Sequence, residues 1–170
     1  PRSYHRQGDY VRAVVINVDK SAKGPQVILS RTHPDFLRRL FEAEVPEIAD
    51  AIVEIKAVAR EAGARSKISV FSTDPRVDAV GSCVGLKGSR VQSIVRELGG
   101  ERIDIVPWSS DASVFVSRAL APARVMDVKV QEAERRMLVI VADDQLSLAI
   151  GKGGQNARLA ARLTGWKIDL

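Results

Sequence analysis

Two glycine turns, each set between helical signals, are the residues in this chain best suited to chemistry. They read Gly85-Leu86-Lys87-Gly88 and Gly151-Lys152-Gly153-Gly154. A Gly-x-x-Gly turn lets a phosphodiester backbone come close, because no Cβ stands in the way. Where the turn opens a helix, free N–H groups and the positive end of the helix dipole face the phosphates. Lys87 and Lys152 add charge, and Ser89, Arg90, Gln155, Asn156 and Arg158 just beyond can reach sugar, phosphate or base edges. One such turn is a weak signal. Two in the same setting are a strong one, and the chemistry they offer is polyanion binding.

The elements that must position these turns repeat. The first turn follows a short apolar segment, Ala79 to Val84. It is followed by a helix from Ser89 to Leu98, Gly99-Gly100, and a strand from Arg102 to Val106. The second follows Gln145 to Ile150 and leads into a longer helix, Gly165, and a strand from Trp166. Gly85 aligns with Gly151, Gly88 with Gly154 and Gly99 with Gly165, and such a repeat is settled before any fold assignment.

Upstream, each unit opens with a helix and two alternating strands. In the first, Pro34 starts a helix with Phe36, Leu37, Leu40 and Phe41 on one stripe. Strands follow over 52–60 and 66–72, joined through Glu61-Ala62-Gly63-Ala64. In the second, the helix runs from Asp111 to Leu120 with Val114, Phe115 and Ala119 inward, and strands follow over 124–131 and 136–142. Ahead of both, residues 1–9 are polar and irregular. Tyr10 to Val18 and Gln26 to Ser30 then form a hairpin across the turn at 19–25. An isolated hairpin is marginal in water, so this one packs on the helix and strands after it or belongs to a larger β-domain. The fold class is α+β, divided as 1–31, 32–107 and 108–170, with the two units packed together because Pro107-Trp108-Ser109-Ser110 is too short for a loose tether.

Composition narrows the functions. A net charge of +5 suits a polyanionic partner. The single cysteine, Cys83, permits no internal disulfide and fits a reducing, cytoplasmic setting. There is no signal peptide and no apolar run of membrane length. The chain opens at Pro1 in the middle of a pattern, which reads as a fragment of a longer protein. Gly81-Ser82-Cys83-Val84-Gly85 formally matches a nucleophile elbow, but a helix rather than a strand precedes it, and the only histidines are His5 and His33. A buried structural cysteine and no catalysis are expected. One cysteine and two histidines cannot build a zinc site, and neither a Walker loop nor a dinucleotide fingerprint fits, so no metal and no cofactor are expected.

The order helix-strand-strand-helix-Gly-x-x-Gly-helix-strand resembles the type II KH domain, whose loop clamps about four nucleotides of single strand. Particular strings go further. Ser30-Arg31-Thr32-His33-Pro34, Val45-Pro46-Glu47-Ile48, Val84-Gly85 through Arg90-Val91, Gly100 through Ile105 and Asp144 through Leu170 resemble the NusA family of bacterial transcription elongation factors. The resemblance implies tandem type II KH domains (α-β-β-α-α-β each) after the hairpin remnant of an OB-type barrel. It implies nascent single-stranded RNA, RNA polymerase and antitermination factors as partners, in modulation of pausing, termination and antitermination. A monomer is expected.

In this fold RNA would lie between each turn and a sheet edge, on aliphatic floors of Val84, Val91 and Ile103, then Ile150, Ala157 and Ile168. The expected RNA contacts are Gly85, Leu86, Lys87, Gly88, Ser89, Arg90, Val91 and Ile103, then Gly151, Lys152, Gly153, Gly154, Gln155, Asn156, Arg158 and Arg162, with Arg31 at the barrel junction. Arg158 and Arg162, at i and i+4, repel mildly unless an anion is near. His33 reads as a capping or packing residue rather than an RNA contact. The alternative is a protein-interaction module that contacts RNA polymerase or ribosomal and antitermination factors, with RNA secondary.

Overall fold

The computed structural model describes residues 5–21, 23–24 and 26–170. The polar opening at 1–4 and part of the turn over 19–25 lie outside the described residues. β1 (Val14–Val18) and β2 (Val27–Ser30) pair antiparallel. β1 starts at Val14 rather than Tyr10, because its partner Ser30 is the last residue before the chain turns into a helix. Val15, Ile16, Val18, Val27, Ile28 and Leu29 are all exposed, and Val14 alone of this hairpin's strand residues packs against the first core.

α1 (Pro34–Glu44) begins where His33 Nδ1 accepts from the Asp35 N–H at 3.0 Å, so the histidine is a cap, as its position suggested. Phe36, Leu37, Leu40 and Phe41 are buried along one stripe, each contributing about 1.5–3 kcal/mol by leaving water. Val45 is extended, as a residue before proline must be, and α2 (Pro46–Ala49) follows. β3 (Val53–Glu61) pairs antiparallel with β4 (Arg65–Ser72), which pairs parallel with β5 (Arg102–Pro107). α3 (Ala79–Val84) and α4 (Ser89–Glu97) lie between β4 and β5.

The second unit repeats this plan with α5 (Ala112–Ala119), β6 (Val125–Gln131), β7 (Arg136–Val141), α6 (Leu146–Ile150), α7 (Gln155–Thr164) and β8 (Lys167–Asp169). Its sheet order is β6-β7-β8, antiparallel then parallel. The repeat extends to irregularities: β3 breaks register at Lys56 and β6 at Met126. Arg65 pairs with Asp104 across the first sheet, and Arg136 with Asp169 across the second. In α5, Val116 takes the inward position and Val114 is exposed, contrary to expectation. The buried stripe is Phe115, Val116, Ala119 and Leu120, at i, i+1, i+4 and i+5, which turns Val114 to the opposite side.

The first sheet is covered on both faces. One face, with Ile68 and Val70, meets α1, α3 and α4. The other gives Ala59 and Val106 to the second unit's core, alongside Phe115, Val116, Met137, Val139, Leu159 and Leu163. Lys67 lies on that second face and is 0% exposed. Its ammonium donates to Asp104 Oδ2 at 2.8 Å and to the carbonyl of Ala121, in the second unit, at 3.1 Å. Burial pushes Lys67 below the ordinary lysine range although Asp104 pulls the other way.

Candidate nucleic-acid interface

The two glycine turns have nearly the same backbone. Gly85 (φ +76, ψ 173) matches Gly151 (φ +77, ψ 171), and Gly88 (φ +75, ψ 12) matches Gly154 (φ +77, ψ 8). Gly88 N–H donates to the Gly85 carbonyl at 3.1 Å, and Gly154 N–H to the Gly151 carbonyl at 3.1 Å. All four glycines sit at positive φ, where a Cβ is unfavourable. The third position is left-handed in both turns: Gly153 at φ +62 and, in the first turn, Lys87 at φ +53. The lysines therefore occupy different positions, the third of one turn and the second of the other.

The first glycine of each turn serves the protein's own backbone. A Cβ on Gly85 would meet the Arg90 nitrogen at 2.9 Å, and one on Gly151 the Asn156 nitrogen at 2.7 Å. Arg90 and Asn156 occupy equivalent positions and do the same work. Arg90 donates to the Ser82 carbonyl at 2.7 Å and to Glu47 at 2.8 Å. Asn156 donates to the Leu148, Ala149 and Leu120 carbonyls at 3.0–3.2 Å. Each side chain ties the helix after the turn to the short helix before it. This corrects the expectation for Asn156: it is 0% exposed and braces the turn instead of facing a ligand. Arg90 is half-buried and likewise a brace. Arg31 is also held by the protein, its guanidinium donating to the Arg12 carbonyl, the Glu97 carbonyl and Glu97 Oε1, with part of its side chain still exposed. The common signal was position: both braces stand five residues after the first glycine.

The rest of each turn opens to solvent. No atom comes within 4 Å of a Cβ placed on Gly153, and only Gln92 Cγ, at 3.8 Å, approaches one on Gly88. Leu86, Lys87, Lys152 and Gly153 are exposed. α1 and α5 are capped by His33 and Asp111, but α4 and α7, which open at the turns, have no side-chain cap. The first N–H of each, on Ser89 and Gln155, turns back onto the Leu86 and Lys152 carbonyls, so it is the N–H groups just beyond that have no side-chain acceptor. A groove of about 620 Å³ lies beside the first turn, lined by Gly85, Leu86, Ser89, Arg90 and Arg76 with Glu47 and Asp78. One of about 300 Å³ lies beside the second, lined by Gly151, Lys152, Ser147 and Gln155 together with Arg65 and Arg102 of the first unit. Of the proposed floor, Val84, Val91, Ile103, Ala157 and Ile168 are half-buried and Ile150 is exposed.

Arg158 and Arg162 do have an anion near them, and it is Glu61 at the end of β3. Glu61 Oε1 accepts from Arg158 Nε, Glu61 Oε2 accepts from Gln155 Nε2 at 2.7 Å, and Arg162 lies 3.7 Å away. The bonded Arg158 guanidinium holds the Glu61 carboxyl below its ordinary value. Glu61 was missed at the level of sequence, where it is one residue of a hairpin loop. The repelling Arg158–Arg162 pair was the available signal. Cys83 is buried, and loss of hydration, with Glu47 near, pushes its thiol up to about 12. Such a thiol supplies no nucleophile near neutral pH. Among the described residues, no group of three or more His, Cys, Asp or Glu could hold a metal ion, and no helix is long and apolar enough to cross a membrane.

Residues 31–108 match the family model of the NusA-like first KH domain, and residues 112–170 that of the NusA-like second KH domain. The transcription termination/antitermination protein NusA of Bacillus subtilis is 62% identical over 170 residues, covering 100% of this chain and 46% of its own length. The protein of the same name from Mycobacterium tuberculosis H37Rv is 53% identical over 171 residues, covering 100% of this chain and 49% of its own. The chain spans about half the length of the curated relatives it matches. Among solved structures, the crystal structure of APE1850 aligns with a TM-score of 0.58 at 21% identity, over 79% of this chain and 94% of that one, a likeness of fold.

Proposed function

The chain belongs to the NusA family, and on that premise we propose that it holds one single-stranded RNA across both KH domains of a cytoplasmic transcription termination/antitermination factor. The domains are 32–107 and 108–170, and residues 1–31 are the end of an OB-type barrel, a reading supported by the hairpin's uncovered apolar faces. The observation that carries the RNA reading is the pair of glycine turns with matching backbone angles, each at the mouth of a helix that has no side-chain cap. Phosphates would meet Gly88, Ser89 and Lys87 in one turn and Lys152, Gly153 and Gly154 in the other. Bases would rest on the half-buried aliphatic floors, which suits a chain with only 5% aromatic residues. The RNA would be nascent transcript, and the larger protein would act on polymerase pausing, termination and antitermination with no catalysis of its own.

A titration with labelled single-stranded RNA tests this. Lys87→Asp with Lys152→Asp should abolish binding. The wild-type affinity should fall with salt by about 0.7 log units per log unit for each phosphate neutralised. Affinity unchanged in the double variant would favour the protein-partner reading instead.

A further inference from the structure

A contact between the two domains reaches into the second glycine turn. Glu61 belongs to the first domain, and its carboxylate takes hydrogen bonds from Gln155 and Arg158 on α7 of the second, with Arg162 alongside. Arg158 has a second engagement: its Nη1 donates to the Gly153 carbonyl at 3.0 Å. A continuous path therefore runs from a first-domain carboxylate, through one planar guanidinium, to Gly153, the third residue of the second turn. The planarity of arginine matters here, because fixing one edge of the fork fixes the direction of the other. The first turn has no such strut. Gln92 stands where Arg158 does, and among the described residues its side chain makes no hydrogen bond.

We propose that Glu61 is a positioning residue for the second RNA-facing turn, setting the pose of Gly153 from the neighbouring domain through Arg158. The function assigned to that turn rests on the RNA reading above; the positioning does not. The competing role for the same contact is a plug: a carboxylate occupying Arg158 and Arg162 that phosphate must displace. The two roles differ in sign.

The test uses the whole 170-residue chain as wild type, Glu61→Gln, Arg158→Gln and the double variant, with the amide signals of Gly153, Gly154 and Gly88 followed by NMR and hydrogen exchange. Without RNA, Glu61→Gln should shift the Gly153 and Gly154 signals and speed their exchange about tenfold, while Gly88 stays unchanged. Short single-stranded RNA should then bind at least about fivefold more weakly, with the double variant no worse than Arg158→Gln alone. The charge-swapped pair Glu61→Arg with Arg158→Glu adds a second check. It should recover thermal stability yet leave Gly153 loose, since a carboxylate has no proton to donate to that carbonyl. Unmoved Gly153 and Gly154 signals, or tighter RNA binding by Glu61→Gln, would overturn the proposal. A wild-type chain that fails to bind RNA sinks the functional reading alone, because the amide measurement decides the positioning with no RNA present.

Discussion

Lys87 carries a conformational cost that its counterpart avoids. It holds φ +53, ψ +31, close to the φ +62, ψ 22 of Gly153. A side chain in that region costs about 1–2 kcal/mol, mostly through its Cβ. Strain of this kind persists where a side chain is needed, and binding sites are where it gathers. Lys87→Gly should therefore raise folding stability by up to about 1 kcal/mol, after glycine's extra chain entropy is set against the relieved strain. The same change should weaken RNA binding by removing one cation. Denaturant unfolding and the RNA titration, run on one preparation, check both directions. A variant that lost stability would show that the Lys87 side chain makes a favourable contact outweighing its backbone.

At the level of elements, each turn is built around a brace. The brace divides the glycines into those that serve folding and those that face outward. Gly85→Ala and Gly151→Ala would press a Cβ onto the backbone of Arg90 and Asn156, and should cost roughly 2–4 kcal/mol from strain plus overpacking. Gly88→Ala meets nothing closer than 3.8 Å and should cost only its strain, about 1–2 kcal/mol. Urea unfolding of the three variants ranks them. The glycines and the helical stripes were legible in the sequence because both are local: a fixed spacing and a period. Arg90 and Asn156 were read as outward-facing because nothing local separates a donor to solvent from a donor to a carbonyl eight residues back. β4 was readable as a strand, yet its burial on both faces was not. Its alternation of Ser66, Ile68 and Val70 with Arg65, Lys67 and Ser69 looks like a strand with one wet side. The polar side is instead dry, because the second domain covers it and Asp104 and Ala121 answer its charges.

For the whole molecule, one face of the first domain's own sheet is built into the second domain's core, and the two domains should therefore unfold together. Ala59 and Val106 complete a core whose other buried members belong to the second domain, and Lys67 joins the Glu61 contacts as a polar pin between them. Lys67→Ala should lower stability by about 1–3 kcal/mol, because the Ala121 carbonyl loses its donor while Asp104 keeps Arg65. It should lower it in a single transition seen alike by the fluorescence of Trp108 and Trp166 together and by circular dichroism. Two separated transitions would mean that the domains unfold independently. Because the packed interface between the domains holds the turns at a set separation, an RNA gripped by both, as proposed, would have to conform to the protein. The freedom surrendered on binding is then mainly the nucleotide chain's. Calorimetry with RNAs of increasing length should show the entropic penalty growing with each residue ordered up to the span of both turns, and levelling off once the added nucleotides hang free.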